Sequence, residues 1–509
     1  MSKYAVVNNS NSPLDNSYDV IVIGGGVGGL AAAAILAKAG KKVLLVEKEP
    51  RLGGLTAPVV HGDYMFDVGA RLVMGCASDG PFGPGAIHAF LADLGVRDQV
   101  EFIPVQPMAE VRFPGSRFQV WTGREQYIEG LRQFAPQGLE KLPALLEVCS
   151  RIFRTSKAFA SSAKPWTPWR LLFEVPDFFR YATTKAYSML DRFFPDRRAR
   201  MAVGALWPYL GVPPNQASFF TWANAMGAYI EEGAYFCQGG LHQIAEAIGR
   251  AFIRDGGEIR LNCTARRVFV QNREVAGTEL DDVGSDLPQR VYASWVIANM
   301  DPRLVFGEMM GPAESPSLYR RWLKALETTD PGISISIVTD LDLPAMGFSF
   351  ENLVFDSWNE DQIERTPLND QVGFFSLTIP TAVDPSLAPA GQHMVSAFAG
   401  LPSDAPFGPE AVRRYGAVLM GEVLKLIPDL KGHLLLSDHR AAGDGSVLNA
   451  FGPIYGWKNT PLQSTLNRPP HQTPIKNLIL AGQWTRPSQG VMSVIFSGCE
   501  AARIILRNG

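Results

Sequence analysis

Residues 18–54 constrain the fold of this chain more than any other segment, because apolar runs flank a glycine-rich turn and a helix of small residues. Residues 19–24 are predicted to form a strand buried on both faces, since four β-branched residues follow one another with no alternating polar position. An alanine-rich helix over 27–39 and a second strand over 42–46 are predicted next. This order predicts a parallel βαβ unit.

The turn between the first strand and the helix has the spacing GxGxxG at Gly24, Gly26 and Gly29, with Gly28 beside them. Gly24 permits a sharp turn, Gly26 lets the backbone approach a pyrophosphate, and Gly29 lets the helix pack close to the strand. The helix amino terminus directs N–H groups at the phosphates. Glu47 ends the second strand, where its carboxylate can accept hydrogen bonds from both hydroxyls of an adenosine ribose. The segment therefore predicts a dinucleotide site.

A further glycine pair after Glu47 favours a flavin over a nicotinamide dinucleotide. The spacing ExxxxxGG includes Lys48, Arg51, Gly53 and Gly54. The glycine pair allows the chain to cross the cofactor closely, and Arg51 either adds positive charge near the pyrophosphate or is a solvated surface charge. This spacing resembles the extended fingerprint of flavoproteins with two dinucleotide-binding domains. The nearby segment FDVGA, with Gly69 and Ala70, resembles the stretch that passes the flavin ring in that superfamily.

The carboxy-terminal part of the chain supplies another glycine motif. A strand predicted at 477–482 is followed by a loop and by a helix predicted over 491–506. This motif resembles the carboxy-terminal FAD motif of the phytoene desaturase, carotenoid isomerase and retinol saturase family, and the resemblance implies cofactor contacts at Gly482, Gln483, Gly490, Val491 and Met492. It also implies that the helix points its amino terminus at the flavin ring, where the helix dipole would favour an anionic reduced flavin.

Together with residues 235–302, these motifs resemble the phytoene desaturase, carotenoid isomerase and retinol saturase family of FAD-dependent oxidoreductases. The middle block has a glycine pair, a helical pattern, a returning strand and the closing stretch VIANMDP. The resemblance implies FAD as the cofactor, with the main chain at Ala265 reading the adenine edge. It also implies that the carboxy-terminal strand meets the ribityl chain, although Gln483 stands where many members have Asp or Glu.

The resemblance further implies an α/β fold. It combines a discontinuous, Rossmann-like FAD-binding domain of the amine-oxidase type with a substrate domain that has a mixed sheet and a helical cap. The FAD-binding domain is expected at residues 18–100, 235–302 and 470–509. The substrate domain is expected at residues 101–234 and 303–469, with an aromatic-rich helical cap at about 123–230. Residues 1–17 have no signal-peptide pattern and are expected to form a disordered tail.

Composition and charge argue against several other functions. The net charge is −3 and no long basic run is present, so the sequence does not predict the basic surface that nucleic-acid binding requires. The five cysteines lack CxxC spacing and the seven histidines lack an HxxxH pair, so neither a redox dithiol nor a bound metal is predicted. The cysteines are expected to be small buried hydrophobes in a reducing compartment. No span outside the βαβ unit is apolar enough to cross a membrane, so a cytoplasmic location is expected.

Residues 164–229 are unusually aromatic, and basic residues alternate with the aromatic ones. One interpretation is a cap that lines an apolar tunnel and rests on a bilayer surface, peripheral to the membrane. The other is an ordinary helical core with a solvated basic face. The sequence leaves both open, as it does the oligomeric state.

These features predict an FAD-dependent oxidoreductase that acts on a long apolar substrate of isoprenoid or carotenoid type. Desaturation by hydride transfer to flavin N5 is the first expectation, and this step requires no particular side chain. Cis–trans isomerisation or saturation of a polyene would use the same architecture. A flavin amine oxidase is an alternative, with Trp484 as an aromatic residue beside the flavin. A non-catalytic lipid-binding flavoprotein is another.

Three titratable residues are considered for proton transfer. Glu231 and Glu232 precede the middle glycine pair and are either proton acceptors or a solvated acidic pair. His393 lies beside the turn DPSLAPAGQH and is expected to be structural. No catalytic residue is assigned from the sequence.

Overall fold

The structure is a computed structural model that describes residues 17–67, 69, 71–80, 83–135, 137–162, 168–282, 287–359, 371–401, 408–437 and 449–508. Residues 1–16 of the predicted tail lie outside this part, whereas Ser17 already belongs to the first strand. The strands are β1 (Ser17–Ile23), β2 (Val43–Val46), β3 (Val59–His61), β4 (Tyr64–Phe66), β5 (Phe102–Pro104), β6 (Ala109–Phe113), β7 (Ser116–Val120), β8 (Tyr235–Cys237), β9 (Glu258–Arg260), β10 (Cys263–Gln271), β11 (Glu274–Asp282), β12 (Gln289–Ala298), β13 (Gly332–Thr339), β14 (Glu351–Phe355), β15 (Phe374–Thr378), β16 (His393–Gly400), β17 (Leu434–Ser437), β18 (Asn449–Phe451) and β19 (Leu478–Leu480). The α-helices are Val27–Lys38, Ala86–Asp93, Arg124–Phe134, Leu142–Ser161, Pro168–Glu174, Pro176–Tyr181, Ala186–Phe193, Arg197–Gly204, Phe219–Glu232, His242–Arg254, Pro302–Gly307, Ser317–Ala325, Pro409–Leu426 and Val491–Asn508.

The first sheet has the strand order β10-β11-β12-β1-β2-β9, with β19 beside β12. Strand β1 pairs in parallel with β2 and with β12, as the predicted βαβ unit requires. Its side chains alternate between two cores, with Val20 and Val22 on one face and Ile21 and Ile23 on the other. The helix Val27–Lys38 covers the first of these faces. The Rossmann-like part of the predicted fold is confirmed.

The helix that follows the glycine turn packs between two other helices, His242–Arg254 and Val491–Asn508. Its alanines are almost completely buried, because contact on several sides leaves room only for small side chains. The helix ends at Lys38, one residue earlier than the sequence predicted. The carboxy-terminal helix runs two residues beyond the predicted end at 506.

The second sheet has the order β17-β13-β16-β15-β14-β6-β7, with β18 beside β13. It is mixed, because β14 and β6 are parallel whereas β13, β16, β15 and β14 are antiparallel neighbours. One face packs on the helix Pro409–Leu426. The other, which we call the inner face, turns toward the helical cap. The predicted combination of a mixed sheet and a helical cap is confirmed.

The cap residues share one hydrophobic core with the inner face of the second sheet. Phe194, Phe219 and Trp222 are almost completely buried in that core. Trp169 and Phe173 are instead 72% and 78% exposed. The core interpretation therefore accounts for much of the aromatic content of the cap, and an exposed group of aromatic residues is left over.

The two predicted domains meet in a short ribbon. Strand β5 lies in the predicted substrate domain and pairs antiparallel with β8, at the start of the middle block of the predicted FAD-binding domain. The division into domains by residue number stays a prediction.

Candidate functional site

The glycine turn after β1 brings backbone groups together at the start of a helix. Gly24 has φ +101°, a conformation that other residues rarely adopt, and a Cβ at Gly29 would lie 2.2 Å from the Gly24 carbonyl oxygen. Gly26 is the N-cap, with no side-chain hydrogen bond to the helix and no acid in the first turn. The helix amino terminus therefore fits an anion such as a pyrophosphate.

Glu47 lies against this turn at the end of β2. One oxygen of the buried carboxylate, Oε2, accepts a hydrogen bond from the Gly25 N–H at 2.6 Å. Burial raises the pKa of Glu47, although hydrogen bonds from the Glu49 and Gly25 N–H groups act in the opposite direction. The Gly53 N–H donates to the Gly25 carbonyl at 2.9 Å, and a Cβ at Gly54 would lie 3.2 Å from the Gly26 Cα. The two glycine motifs predicted from the sequence are therefore adjacent.

The other residues predicted near the adenosine half differ in exposure. Lys48 is exposed and forms a surface ion pair with Glu49, with Nζ and Oε1 3.5 Å apart. Arg51 is also exposed. Ala265 is half-buried in β10, where it lies opposite Leu280. Their roles as cofactor contacts stay predictions.

The carboxy-terminal motif packs directly on the first glycine turn. A Cβ at Gly28 would lie 2.9 Å from the Gly482 Cα, so the two motifs are in contact. Gly482 has φ +84°, and a Cβ there would lie 2.1 Å from Asn299 Oδ1. The Asn299 amide donates to the Gly24 carbonyl at 3.1 Å, and the Gly482 N–H donates to Ser497 Oγ at 3.0 Å. Asn299 thus joins the two motifs. The sequence predicts its stretch, VIANMDP, only as the closing strand of the FAD-binding domain.

Each segment expected near the flavin ring packs closely on another part of the chain. A Cβ at Gly69 would lie 2.2 Å from the Leu55 carbonyl oxygen, and Ala70 lies outside the described residues. Met492 Sδ would lie 3.0 Å from a Cβ at Gly75. The remaining predicted contacts are exposed Gly490, buried Val491 and half-buried Gln483.

Glu231 and Glu232 are not a solvated pair. Glu232 is 5% exposed, and Lys157 Nζ donates to its Oε1 at 2.6 Å. Its other oxygen, Oε2, has no hydrogen-bond partner within the described chain and would lie 3.3 Å from a Cβ at Gly75. Glu231 is half-buried. The solvated interpretation was wrong for Glu232, because the charge of Lys157 compensates the charge of Glu232. Lys157 lies on a helix that is distant in the sequence but packs on the helix of Glu232.

Two distant sequence motifs converge on the glycine pair Gly239–Gly240. The Asp67 carboxylate accepts from the Leu241 N–H at 3.0 Å, and the Asp384 carboxylate accepts from the Gly239 N–H at 2.8 Å. Asp67 comes from the segment FDVGA and Asp384 from the turn DPSLAPAGQH. This turn therefore holds the middle glycine loop, a function that the sequence did not indicate.

His242 follows this loop and is 3% exposed. Burial lowers its pKa to about 4, with the positive charge of Arg51 adding to the effect. The Gln243 amide nitrogen lies 3.1 Å from His242 Nε2, and since an amide NH₂ only donates, we assign the proton to Nδ1. Nδ1 is buried with no hydrogen-bond partner among the residues described. An unpaired buried donor beside the glycine loops fits an anionic dinucleotide.

The pH dependence of stability offers a test of the Asp67 environment. Burial raises the pKa of Asp67 from 3.8 to about 7, although Leu241 and Arg71 lower it. Between these values the folded state holds more protons than the unfolded state, so the cofactor-free protein should lose stability as pH rises toward 7. We expect Asp67→Asn to reduce this slope in thermal unfolding. Exposed Asp63→Asn should keep the wild-type slope, and equal slopes for the wild type and Asp67→Asn would contradict the assignment.

Two remaining candidates have structural contacts. His393 Nδ1 lies 3.0 Å from Thr381 Oγ1 in the turn between β15 and β16, as expected for a structural histidine. Trp484 packs edge-to-face on Trp457, with ring centroids 5.0 Å apart, and its carbonyl accepts from the Trp457 indole. This packing leaves no slot between the two rings for an amine. Within the described residues no cluster of side chains suits a metal ion.

Comparisons with known proteins agree with this arrangement. The model of the family described as flavin containing amine oxidoreductase matches residues 27–284. The chain is 25% identical to a 4,4′-diapophytoene desaturase from Methylomonas sp, covering 96% of this chain and 95% of that protein. It is 25% identical to a chloroplastic prolycopene isomerase from Daucus carota, and the match covers 95% of this chain and 79% of that protein. An oxidoreductase of known structure from Methanosarcina mazei has the same fold, with a TM-score of 0.64 and 17% identity over 94% of this chain and 99% of the other.

Proposed function

This chain belongs to the flavin containing amine oxidoreductase family and is an FAD-dependent oxidoreductase, and from this premise we propose that it desaturates a long isoprenoid substrate. When bound, FAD supplies a hydride acceptor at its N5 atom. The residues that would hold it are the glycine turn after β1, Glu47, His242 and the carboxy-terminal motif around Gly482. The protein then has to hold the substrate against the ring and exclude water.

The observation that carries this proposal is the aromatic wall on the inner face of the second sheet. Leu353, Phe355 and Phe374 are almost completely buried there and belong to the core shared with the cap. Trp207 from the cap packs on Phe374, with ring centroids 5.5 Å apart. Between the cap and this wall lies a cavity of about 20 Å³, lined by Trp207 and Phe355 and also by Arg200 and Asn215. The aromatic side chains of the wall suit contact with an unsaturated hydrocarbon chain.

Anaerobic mixing of the holoprotein with an acyclic polyene tests the reaction. Desaturation should bleach the flavin absorbance band and give a product lighter by two hydrogens. Isomerisation would change the product geometry without a change in mass, and bleaching by primary amines but not by polyenes would favour an amine oxidase. An oxidised flavin and unchanged polyenes after prolonged incubation would overturn the enzymatic proposal in favour of a lipid-binding flavoprotein.

We also propose that the cap contacts a membrane surface. None of the described helices is long and apolar enough to cross a bilayer. The cap nevertheless exposes Trp169, Phe173 and Phe179, and Arg180, which follows Phe179 in the sequence, is exposed as well. Aromatic side chains next to a cation suit the interface of an anionic bilayer.

The double substitution Trp169→Ser, Phe173→Ser should weaken binding to anionic vesicles by at least about tenfold, because two large apolar side chains no longer enter the interface. Sedimentation with vesicles of mixed neutral and anionic phospholipid measures this. Leu318→Ser removes an apolar side chain that is 74% exposed on another helix and should have no effect. Equal vesicle binding by the wild type and the double variant would contradict a membrane-contacting cap.

A further inference from the structure

A row of polar side chains crosses the inner face of the second sheet, where the neighbouring core is apolar. The row has one member on each of four neighbouring strands. Ser336 on β13 lies opposite Ser396 on β16. Thr378 on β15 lies between Ser396 and Glu351, the member on β14. All four are at most 3% exposed. On the opposite face of the same strands, Ile, Leu, Val, Phe and Ala predominate, with Asn352 as a buried polar residue. Burial of these polar groups requires partners.

Arg71 reaches this row from the segment that follows Gly69. Its NH1 group donates to Ser376 Oγ at 2.6 Å and lies 3.4 Å from Glu351 Oε1. Thr378 Oγ1 donates to the other Glu351 oxygen at 2.6 Å. The guanidinium and the carboxylate thus form a buried ion pair, which balances the charge of the cluster.

Tyrosines complete the cluster, which we call the Arg71 cluster: Arg71, Glu351, Ser334, Ser336, Tyr209 and Tyr455. Burial raises the pKa of Tyr209 and of Tyr455, the latter to about 12, and the nearby charge of Glu351 contributes in the same direction. Tyr209 and Tyr455 are half-buried as whole residues, and the Tyr209 hydroxyl oxygen is buried.

The Arg71 cluster lies beside the carboxy-terminal flavin motif. The Gln489 amide donates to the Leu210 carbonyl at 3.1 Å, next to Tyr209. A Cβ at Gly456, next to Tyr455, would lie 3.2 Å from the Gln483 carbonyl oxygen. Arg71 itself follows Gly69 by two positions. The Arg71 cluster is therefore adjacent to the expected flavin site.

Polar atoms of this cluster remain without partners. Arg71 Nε, Tyr209 OH, Ser334 Oγ and Ser336 Oγ are buried and have no hydrogen-bond partner within the described chain. The Arg71 Nε–H group can only donate, so its partner has to be an acceptor, which excludes an ammonium group. Glu351 already pairs with Arg71, so an added carboxylate would have to share the single Arg71 cation with a second acid. An uncharged oxygen satisfies both conditions.

We propose that the Arg71 cluster binds an uncharged oxygen function of the substrate, a hydroxyl or a carbonyl group, which the aromatic wall alone would not recognise. This inference rests on the proposed function and narrows its substrate class from hydrocarbons to oxygenated isoprenoids. The Arg71 cluster then fixes which end of the chain enters first and how far it passes along the flavin.

Binding of matched ligands to the holoprotein tests this. A diterpenoid alcohol, the aldehyde, the acid and the parent hydrocarbon are titrated while tryptophan fluorescence and the flavin spectrum are followed. The alcohol or the aldehyde should bind at least about tenfold more tightly than the hydrocarbon and the acid. Equal affinity for all four overturns this inference alone, whereas failure of all four to bind overturns it together with the proposed function.

Substitutions test whether the Arg71 cluster causes this preference for oxygenated ligands. Arg71→Met should reduce affinity for the oxygenated ligand by about a hundredfold, and Tyr209→Phe by about tenfold, with hydrocarbon binding unchanged. Ser334→Ala removes a small unpaired hydroxyl and keeps the inference testable if Arg71→Met does not fold. Tyr319→Phe is the matched control, because Tyr319 OH is also buried and unpartnered but packs in the core of the first sheet. A preference that survives Arg71→Met, or Ser334→Ala and Tyr209→Phe combined, would overturn the assignment.

Discussion

Replacement of Gly29 by valine is expected to abolish FAD binding, so that the variant purifies without flavin absorbance. A Cβ at this position would lie 2.2 Å from the Gly24 carbonyl oxygen and 3.0 Å from the Asn299 amide nitrogen. A branched side chain would push the helix away from β1 and separate the N–H groups that fit the pyrophosphate. We expect the affinity for FAD to fall by more than about a hundredfold, measured by reconstitution of cofactor-free protein.

Gly421→Ala serves as the control for Gly29→Val. Gly421 lies in the helix Pro409–Leu426, and a Cβ there would meet nothing within 4 Å. This variant should retain FAD and gain up to about 1 kcal/mol of stability, because alanine favours the helix. A yellow Gly29→Val protein with normal FAD content would show that the turn tolerates separation from the helix, and our account of the cofactor site would be wrong.

Replacement of Arg468 by methionine is expected to lower the free energy of unfolding by about 3–5 kcal/mol. Arg468 is 1% exposed and donates to the carbonyl oxygens of Thr485, Trp457 and Gln483, at 3.1, 3.3 and 2.6 Å. It also donates to Asn459 Oδ1 at 2.8 Å. Burial lowers its pKa to about 9, which leaves the guanidinium charged at neutral pH. Methionine would fill the space but remove the Arg468 donors from the three carbonyl oxygens, while Asn459 Oδ1 would keep the hydrogen bond from Ser488 Oγ at 3.1 Å.

Thermal unfolding measures this effect as a fall in the midpoint of about 5–10 °C. Arg266→Met removes a guanidinium from a surface ion pair with Asp281, in which the Arg266 side chain is 60% exposed, and should change the midpoint little. Arg468→Lys keeps the charge but cannot reach all four acceptors, so an intermediate loss is expected. An Arg468→Met variant as stable as Arg266→Met would contradict the role assigned to these hydrogen bonds.

The sequence predicted the features of the site that depend on local order. The turn after β1 and its helix follow from the spacing of Gly24, Gly26 and Gly29 within one short segment, and the carboxy-terminal motif follows from Gly482 in the same way. The approach of these motifs to each other depends on Asn299 and on the sheet register. No pattern within either motif reports such a contact.

The substrate side was harder to predict, because its chemistry depends on contacts between distant segments. The alternation of isoleucine and serine at residues 333–337 is typical of a strand with one solvated face. In the fold both faces of β13 are buried, so Ser334 and Ser336 belong to an internal polar row. Glu232 is a comparable case, since it is buried only because Lys157, 75 positions away, pairs with it. Hydrophobic periodicity indicates which faces of a segment are apolar, and it does not indicate which other segments pack on those faces.

The contact between the glycine turn and the carboxy-terminal helix bears on how the polypeptide matures during synthesis. A Cβ at Gly498 would lie 2.2 Å from the Gly28 carbonyl oxygen, so the two helices touch through their backbones. The ribosome makes Gly28 hundreds of residues before Gly498. The nascent βαβ unit therefore lacks one wall of the nucleotide site until Gly498 has been synthesised, and stable capture of the vitamin-derived prosthetic group is expected only after that point.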